Sequence, residues 1–388
     1  MNLRTHLLAL LLLPAACGDD AAVNPDAAPP APDADPSAPD AGPPTTSTVF
    51  AVGTDYFSAG ISSTVVVPSL ALTQNAVEGV ASTDPVVRRF GERIYVINRY
   101  GFDNVTILDA GDLQLVAQIS TGAGTNPWDV AVVGDRIYVA ALNAGGLLVI
   151  DASRPDDGVI DRVDLPALDL EDGNPNCNAV AVAGDRLYAA CGLLDDNDMW
   201  LTPRGPGKLV SIDLADDSVD GTVHLISANP QGQILVTPSD GPLGGDLLID
   251  TVNYFDLTAG CLERVSPGPA PRSNGCLIQH ADLGGIVTGA AWTPDDRIYL
   301  AVTTGWDPDD YQPLGKVMIY DATTGTLSAD AMTPDTERPF DLALCPTGHI
   351  AIADAAGGLR IYDPTGTEMT PDLLDLGLPP VSGGLTCY

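Results

Sequence analysis

The sequence predicts an all-β fold, a seven-bladed β-propeller whose ring is closed by joining the N- and C-terminal strands in one blade. Three observations predict it. The chain repeats itself: Arg93-Ile94-Tyr95-Val96 returns as Arg136-Ile137-Tyr138-Val139, and Val105-Thr106-Ile107-Leu108-Asp109 returns as Leu147-Leu148-Val149-Ile150-Asp151. A period in the forties with several short strands per unit is the mark of a propeller. Within each unit the apolar runs are short and broken by Gly, Asn or Asp, and none reaches the about ten residues a helix needs. Finally, the first and last apolar segments are incomplete units that complement each other.

Residues 1–16 carry Arg4, the run Leu7-Leu8-Ala9-Leu10-Leu11-Leu12-Leu13 and small residues before Cys17. This is a secretory signal, too short to span a bilayer. Ala15-Ala16-Cys17 resembles the box of a bacterial lipoprotein signal, in which the Cys becomes lipidated, although Pro14 stands where that family usually has Leu. The resemblance implies a lipid anchor at Cys17, the membrane as a partner, and a place on the periplasmic or surface-exposed side of a bacterial cell envelope. Ordinary cleavage nearby, giving a soluble secreted product, is the alternative. Residues 17–46 are rich in Ala, Pro, Asp, Gly, Ser and Thr and cannot bury apolar surface, so a disordered tether is expected. At about 3.1 Å per residue it would reach up to roughly 90 Å. The propeller is expected over 47–388.

Two markers set the repeat register. A tight turn precedes the Tyr-containing strand in Gly91-Glu92-Arg93, Gly134-Asp135-Arg136 and Gly184-Asp185-Arg186, with further copies at Asp295-Asp296-Arg297 and Thr347-Gly348-His349. Gly supplies the positive φ that a two-residue hairpin requires. An Asp ends the third strand of a unit at Asp109, Asp151, Asp213, Asp321 and Asp363. One unit then parses as strand a (128–132), b (136–142), c (146–151) and d (159–165), and full units start near Asp84, Asn126, Pro175, Pro230, Gly285 and Pro339. The unit over 230–284 is irregular and its strands are not assigned. Residues 47–77 look like strands b, c and d without an a, and 383–388 look like an a alone. Joining them removes the exposed edges of an open ring. The count is seven blades, with six or eight as alternatives should the irregular unit parse differently.

Ile94-Tyr95-Val96-Ile97-Asn98, Val105-Thr106-Ile107-Leu108-Asp109 and Asn126-Pro127-Trp128-Asp129-Val130-Ala131 resemble the YVTN-type propeller repeat, a relative of the NHL repeats. The resemblance is strongest over 84–215 and returns over 286–364. It implies the fold and an extracytoplasmic setting, and no particular activity.

The 52 acids against 17 bases leave a net charge of −35, which should repel nucleic acid and attract cations. Only six of the acids are Glu, and Asp is a turn former, so much of the charge reads as turn chemistry. Six cysteines besides Cys17 in an exported chain read as disulfides. The register pairs Cys177 with Cys191 across a hairpin, Cys261 with Cys276 around a Pro/Gly/Ser loop, and Cys345 with Cys387 across the ring closure.

In an antiparallel meander the b–c turns and d–a links share one side of the ring. Two b–c loops are long, 192–205 with Asp195, Asp196, Asp198 and Trp200, and 304–313 with Trp306, Asp307, Asp309, Asp310 and Tyr311. The same side would carry Trp128-Asp129 and Phe340-Asp341. Loops on a rigid ring are where binding residues tend to be placed, and the carboxylates suit Ca²⁺. The competing reading is structural, with aromatics covering blade tops and acids merely solvated. No C-x-x-C-H or G-x-S-x-G motif occurs, and His224, His280 and His349 lack metal-pair spacing. The expectation is a monomeric cell-envelope lipoprotein whose propeller is a non-catalytic binding or scaffold module for an envelope protein or small ligand. The alternative is a metal-dependent hydrolase, since the unit over 346–363 is also similar to repeats of the lactonase propellers, which hold a metal in the central channel.

Overall fold

Seven four-stranded antiparallel sheets stand in a ring in the computed structural model. It describes residues 44–165, 168–169, 171–198, 201–253, 255–309, 311–333 and 337–388. The lipidation and tether expectations at Cys17 and 18–43 lie outside the described residues, as do Trp200 and Asp310.

Blade 1 is stitched from both chain ends. Its innermost strand a is Pro380–Cys387, followed outward by Ser47–Thr54, Gly60–Val67 and Ala71–Thr73. Leu385 lies opposite Ala51 and Thr386 opposite Phe50, as ring closure requires. Blades 2 to 7 follow in chain order with inner strands Pro85–Phe90, Pro127–Val133, Cys177–Ala183, Pro230–Val236, Ile286–Trp292 and Pro339–Leu344. Each starts close to the position read from the repeat. Proline opens strand a in five blades, the one place in a sheet where its missing N–H costs little.

The turn markers have the expected physical roles. Gly91, Gly134 and Gly184 have φ of 57°, 57° and 65°, and Asp296 takes the same left-handed conformation at 60°. The Asp at the end of strand c accepts a backbone N–H of the turn beyond it: Gly111 to Asp109 at 2.8 Å, Ser153 to Asp151 at 2.9 Å, and Ala215, Thr324 and Thr365 to Asp213, Asp321 and Asp363 at 2.8 Å. These N–H groups hold the Asp109 and Asp321 carboxyls below the usual range, and the Ser153 and Thr365 hydroxyls do so first at Asp151 and Asp363. Part of the large negative charge is therefore turn chemistry on the face opposite the b–c loops.

The core is not one cluster but seven, each shared by two neighbouring blades. Val180 and Leu187 of blade 4 pack on Tyr138 and Val149 of blade 3, and Val65 and Leu385 of blade 1 pack on Ile361 and Ala353 of blade 7. A blade between two others buries both faces, so strands such as Arg93–Asn98 read as continuous apolar runs with no alternation. The irregular blade 5 is explained by its a–b connection: residues 237–246 replace the two-residue turn, and strand a is bulged between Gln231 and Leu235.

All three expected disulfides are present. Cys177 and Cys191 are directly opposed across strands a and b, Cys261–Cys276 links strands c and d of blade 5, and Cys345–Cys387 joins blade 7 to blade 1. Three disulfides fit an oxidising, extracytoplasmic compartment. No helix among the described residues is long and apolar enough to cross a membrane.

Candidate functional site

The inner strands build the channel by a repeated device. In four blades strand a carries a single-residue bulge that turns one side chain out of the ladder, at Trp128, Asn178, Thr288 and Phe340. All four line a central cavity of about 300 Å³. A bulge adds a residue to one strand and re-aims its side chain, so the same irregularity that interrupts pairing supplies the lining. Blade 2 has no bulge and sends Val86 and Arg88 inward by ordinary alternation.

The residue after the bulge points elsewhere. Asp129 is 1% exposed and accepts from Arg88 Nε at 2.7 Å and from the Val180 N–H of the next blade at 3.0 Å. Asp341, 4% exposed, accepts from the Leu342 N–H at 2.9 Å and from the Leu385 N–H of the next blade at 3.2 Å. Both are inter-blade ties rather than groups offered on a surface. Burial pushes the Asp129 carboxyl up against the opposing pull of Arg88. Burial also raises Asp341 to about 7, opposed by its backbone donors and by Arg88. Blade 6 makes room with Gly289, where a Cβ would stand 2.4 Å from Asp341 Oδ1.

The acids of the long loops are mostly engaged as well. Arg204 lies within 2.8 Å of Asp169, 2.8 Å of Asp172, 3.0 Å of Asp195 and 3.3 Å of Glu171. The guanidinium thus fills the place a cation would take and fastens the 192–205 loop to the link before blade 4. Asp196 accepts from Asn174 at 2.7 Å and Asn176 at 2.8 Å, and Asp198 accepts from the Thr202 hydroxyl. Asp307 pairs with Arg338 at 2.7 Å and accepts the Asp309 N–H at 2.9 Å. Among the described residues no three His, Cys, Asp or Glu are grouped so as to hold a metal ion.

Several aromatic side chains stay open to solvent on this face. Trp306 and Tyr311 are exposed, and with them Tyr56 and Phe57 of blade 1, Tyr100 and Phe102 of blade 2, and Phe255 of blade 5. Every large exposed aromatic among the described residues belongs to a b–c connection, and exposure reaches 91% at Phe57 and 79% at Tyr311. Tyr56, Tyr100 and Tyr311 adopt left-handed φ of 60°, 38° and 58°, a conformation costly for bulky residues and typical of functional loops. Their amides are held by the Thr54 hydroxyl at 2.9 Å, Asn126 Oδ1 at 3.1 Å and the Asp307 carbonyl at 2.9 Å. Tyr56, Trp306, Trp128 and Phe340 meet at the channel mouth, where the Arg99 guanidinium stacks 4.5 Å from the Trp128 ring and pairs with Asp84 at 2.6 Å. A second hollow of about 440 Å³ lies between the b–c loops of blades 4 and 5, walled by Leu201, Pro203 and Phe255. Sequence reasoning named Trp128, Trp306, Tyr311 and Phe340 and passed over the aromatics of shorter loops. Their position directly after a strand b was the available signal.

No family model matches the chain, and no curated protein matches it. Solved structures do. The β-propeller domain of Cps50 (Swd1) from Myceliophteria thermophila is similar with a TM-score of 0.53 and 12% identity, covering 81% of this chain and 93% of that one. AztD from Citrobacter koseri is similar with a TM-score of 0.50 and 13% identity, over 88% of this chain and 98% of that one. Hydrazine synthase from Kuenenia stuttgartiensis gives 0.50 and 15% identity, over 70% of this chain and 74% of that one. At such identities the likeness carries the fold alone: this chain is a seven-bladed β-propeller.

Proposed function

We propose that the chain is a cell-envelope lipoprotein, anchored through Cys17 and a Pro/Ala/Asp tether, whose propeller is a non-catalytic binding module. Its working surface is the b–c face. One observation carries the reading: the large exposed aromatics among the described residues are confined to that face. Rigid aromatic side chains provide much contact area at small entropic cost, and exposed ones on a soluble ring are otherwise a liability. The partner is an envelope protein or small ligand that buries aromatic rings. The acidic surface disfavours nucleic acid. The repeats resemble the YVTN type, which agrees with an extracytoplasmic setting, as do the disulfides.

The test is capture of partners from envelope extracts by the wild type and by a variant with Phe57, Tyr100, Phe255 and Tyr311 all changed to Ala. Loss of capture at an unchanged melting temperature supports the reading. Equal capture by both proteins overturns it. Fatty-acid labelling that disappears in Cys17→Ala supports the anchor, and persistence of label refutes it.

A further inference from the structure

Below the rim, the channel cavity of about 300 Å³ sits at the lower end of the roughly 300–1,000 Å³ range of small-molecule sites. Four buried polar atoms of its lining residues have no hydrogen-bond partner within the chain: Arg99 Nε, Trp128 Nε1, Asn178 Oδ1 and Asp250 Oδ2. Asn178, 2% exposed, gives its amide N–H to the Pro230 carbonyl at 2.5 Å and leaves Oδ1 unmatched. On the adjacent blade the buried Trp128 Nε1–H has no acceptor. Native chains rarely keep such groups without a reason. Two of the four are acceptors only, the Asn178 and Asp250 oxygens, and two are donors only, the Trp128 and Arg99 N–H groups.

The two arginine charges there are already matched. Arg88 pairs with Asp129 at 2.7 Å and Arg99 with Asp84 at 2.6 Å, while Asp250 Oδ1 shares a hydrogen bond with His280 Nε2 at 2.7 Å. Asp341 gives its two oxygens to backbone N–H groups. An anion would therefore find both arginines already paired with carboxylates, and burying it there carries a desolvation cost. A carboxylate or phosphate could satisfy only the indole and guanidinium donors, and an ammonium only the amide and carboxylate oxygens. A hydroxyl-bearing ligand can do both, because each O–H donates and accepts. The walls of Trp128, Phe340 and Trp306 offer apolar faces of the kind that cover the C–H side of a sugar ring.

We propose that the central channel binds a small neutral polyhydroxylated ligand, a monosaccharide or a polyol of that size, whose hydroxyls donate to Asn178 Oδ1 and accept from Trp128 Nε1–H. The site shares Trp306 with the rim but uses none of Phe57, Tyr100, Phe255 and Tyr311, so it does not depend on the partner proposed above. Calorimetric and melting titrations of the full mature chain with glucose, galactose, N-acetylglucosamine and myo-inositol, against choline, acetate and phosphate, test it. At least one neutral polyol should bind and raise Tm. Trp128→Phe keeps a ring on the wall and removes only the indole N–H, so it should weaken that binding about tenfold with Tm unchanged in the absence of ligand. Absence of binding by all four polyols at millimolar concentration, equal affinity in Trp128→Phe, or preferential binding of a charged probe would overturn the proposal.

Discussion

Removing the Cys345–Cys387 bond by a double change to Ala should loosen the ring at one definable place. The bond spans 42 residues of sequence and joins the ends of two inner strands, with Cα atoms 4.9 Å apart. Loop-closure entropy assigns a cross-link of that span about 4 kcal/mol at 25 °C, against about 3 kcal/mol for the 14-residue span of Cys177–Cys191. With an unfolding entropy of about 2.1 cal/mol/K per residue over roughly 340 residues, 4 kcal/mol corresponds to a fall of about 5–6 °C in Tm. The larger consequence is local. Blade 1 has no covalent continuity between Pro380–Cys387 and Ser47–Thr54, and these strands are held by pairing and side-chain packing. Without the bond the C-terminal strand can peel away while the other six blades stay folded. Hydrogen exchange should therefore speed up first at Phe50, Ala51, Leu385 and Thr386, and the Cys177→Ala/Cys191→Ala variant should leave those amides protected. Unchanged exchange at the seam, or a larger Tm loss from the 177–191 pair, would refute the reasoning.

Two further outcomes follow from the site. Burial raises the Asp341 carboxyl to about 7 in the folded state, from an ordinary value near 3.8. The folded state thus binds the extra proton between about pH 4 and 7, and stability from this group is full below that window and lost as pH rises through it. The loss is of order 4 kcal/mol. Urea midpoints at about pH 4.5 and 7.5 should show this decline in the wild type and a flatter profile in Asp341→Asn; parallel profiles would contradict it. Arg204→Gln leaves Asp169, Asp172 and Asp195 facing each other without their cation. The 192–205 loop should then be cut several-fold faster by a nonspecific protease while the remaining blades resist, and an unchanged cleavage rate would mean that Arg204 does not fasten the loop.

The sequence by itself determined the architecture, because local chemistry and repetition coincide in it. Gly91, Gly134 and Gly184 mark hairpins that need a left-handed residue, Asp109 and its counterparts mark the turns they cap, and the half-units at the two ends could be completed only by each other. The cysteine pairs followed from the same register. Blade 5 escaped because its 237–246 connection lacks the two-residue turn that sets the register elsewhere. The site was legible only in part, since tertiary structure decided which polar groups stay free. Asp129 and Asp341 look like exposed acids beside aromatics, yet a bulge one residue earlier sends Trp128 and Phe340 to the channel and turns the carboxyls onto the next blade. Asp195 and Asp307 likewise meet Arg204 and Arg338, partners that no local pattern announces. Hydrogen-bond partners across blades depend on how neighbouring sheets are set side by side, and that arrangement exists only once the ring has closed.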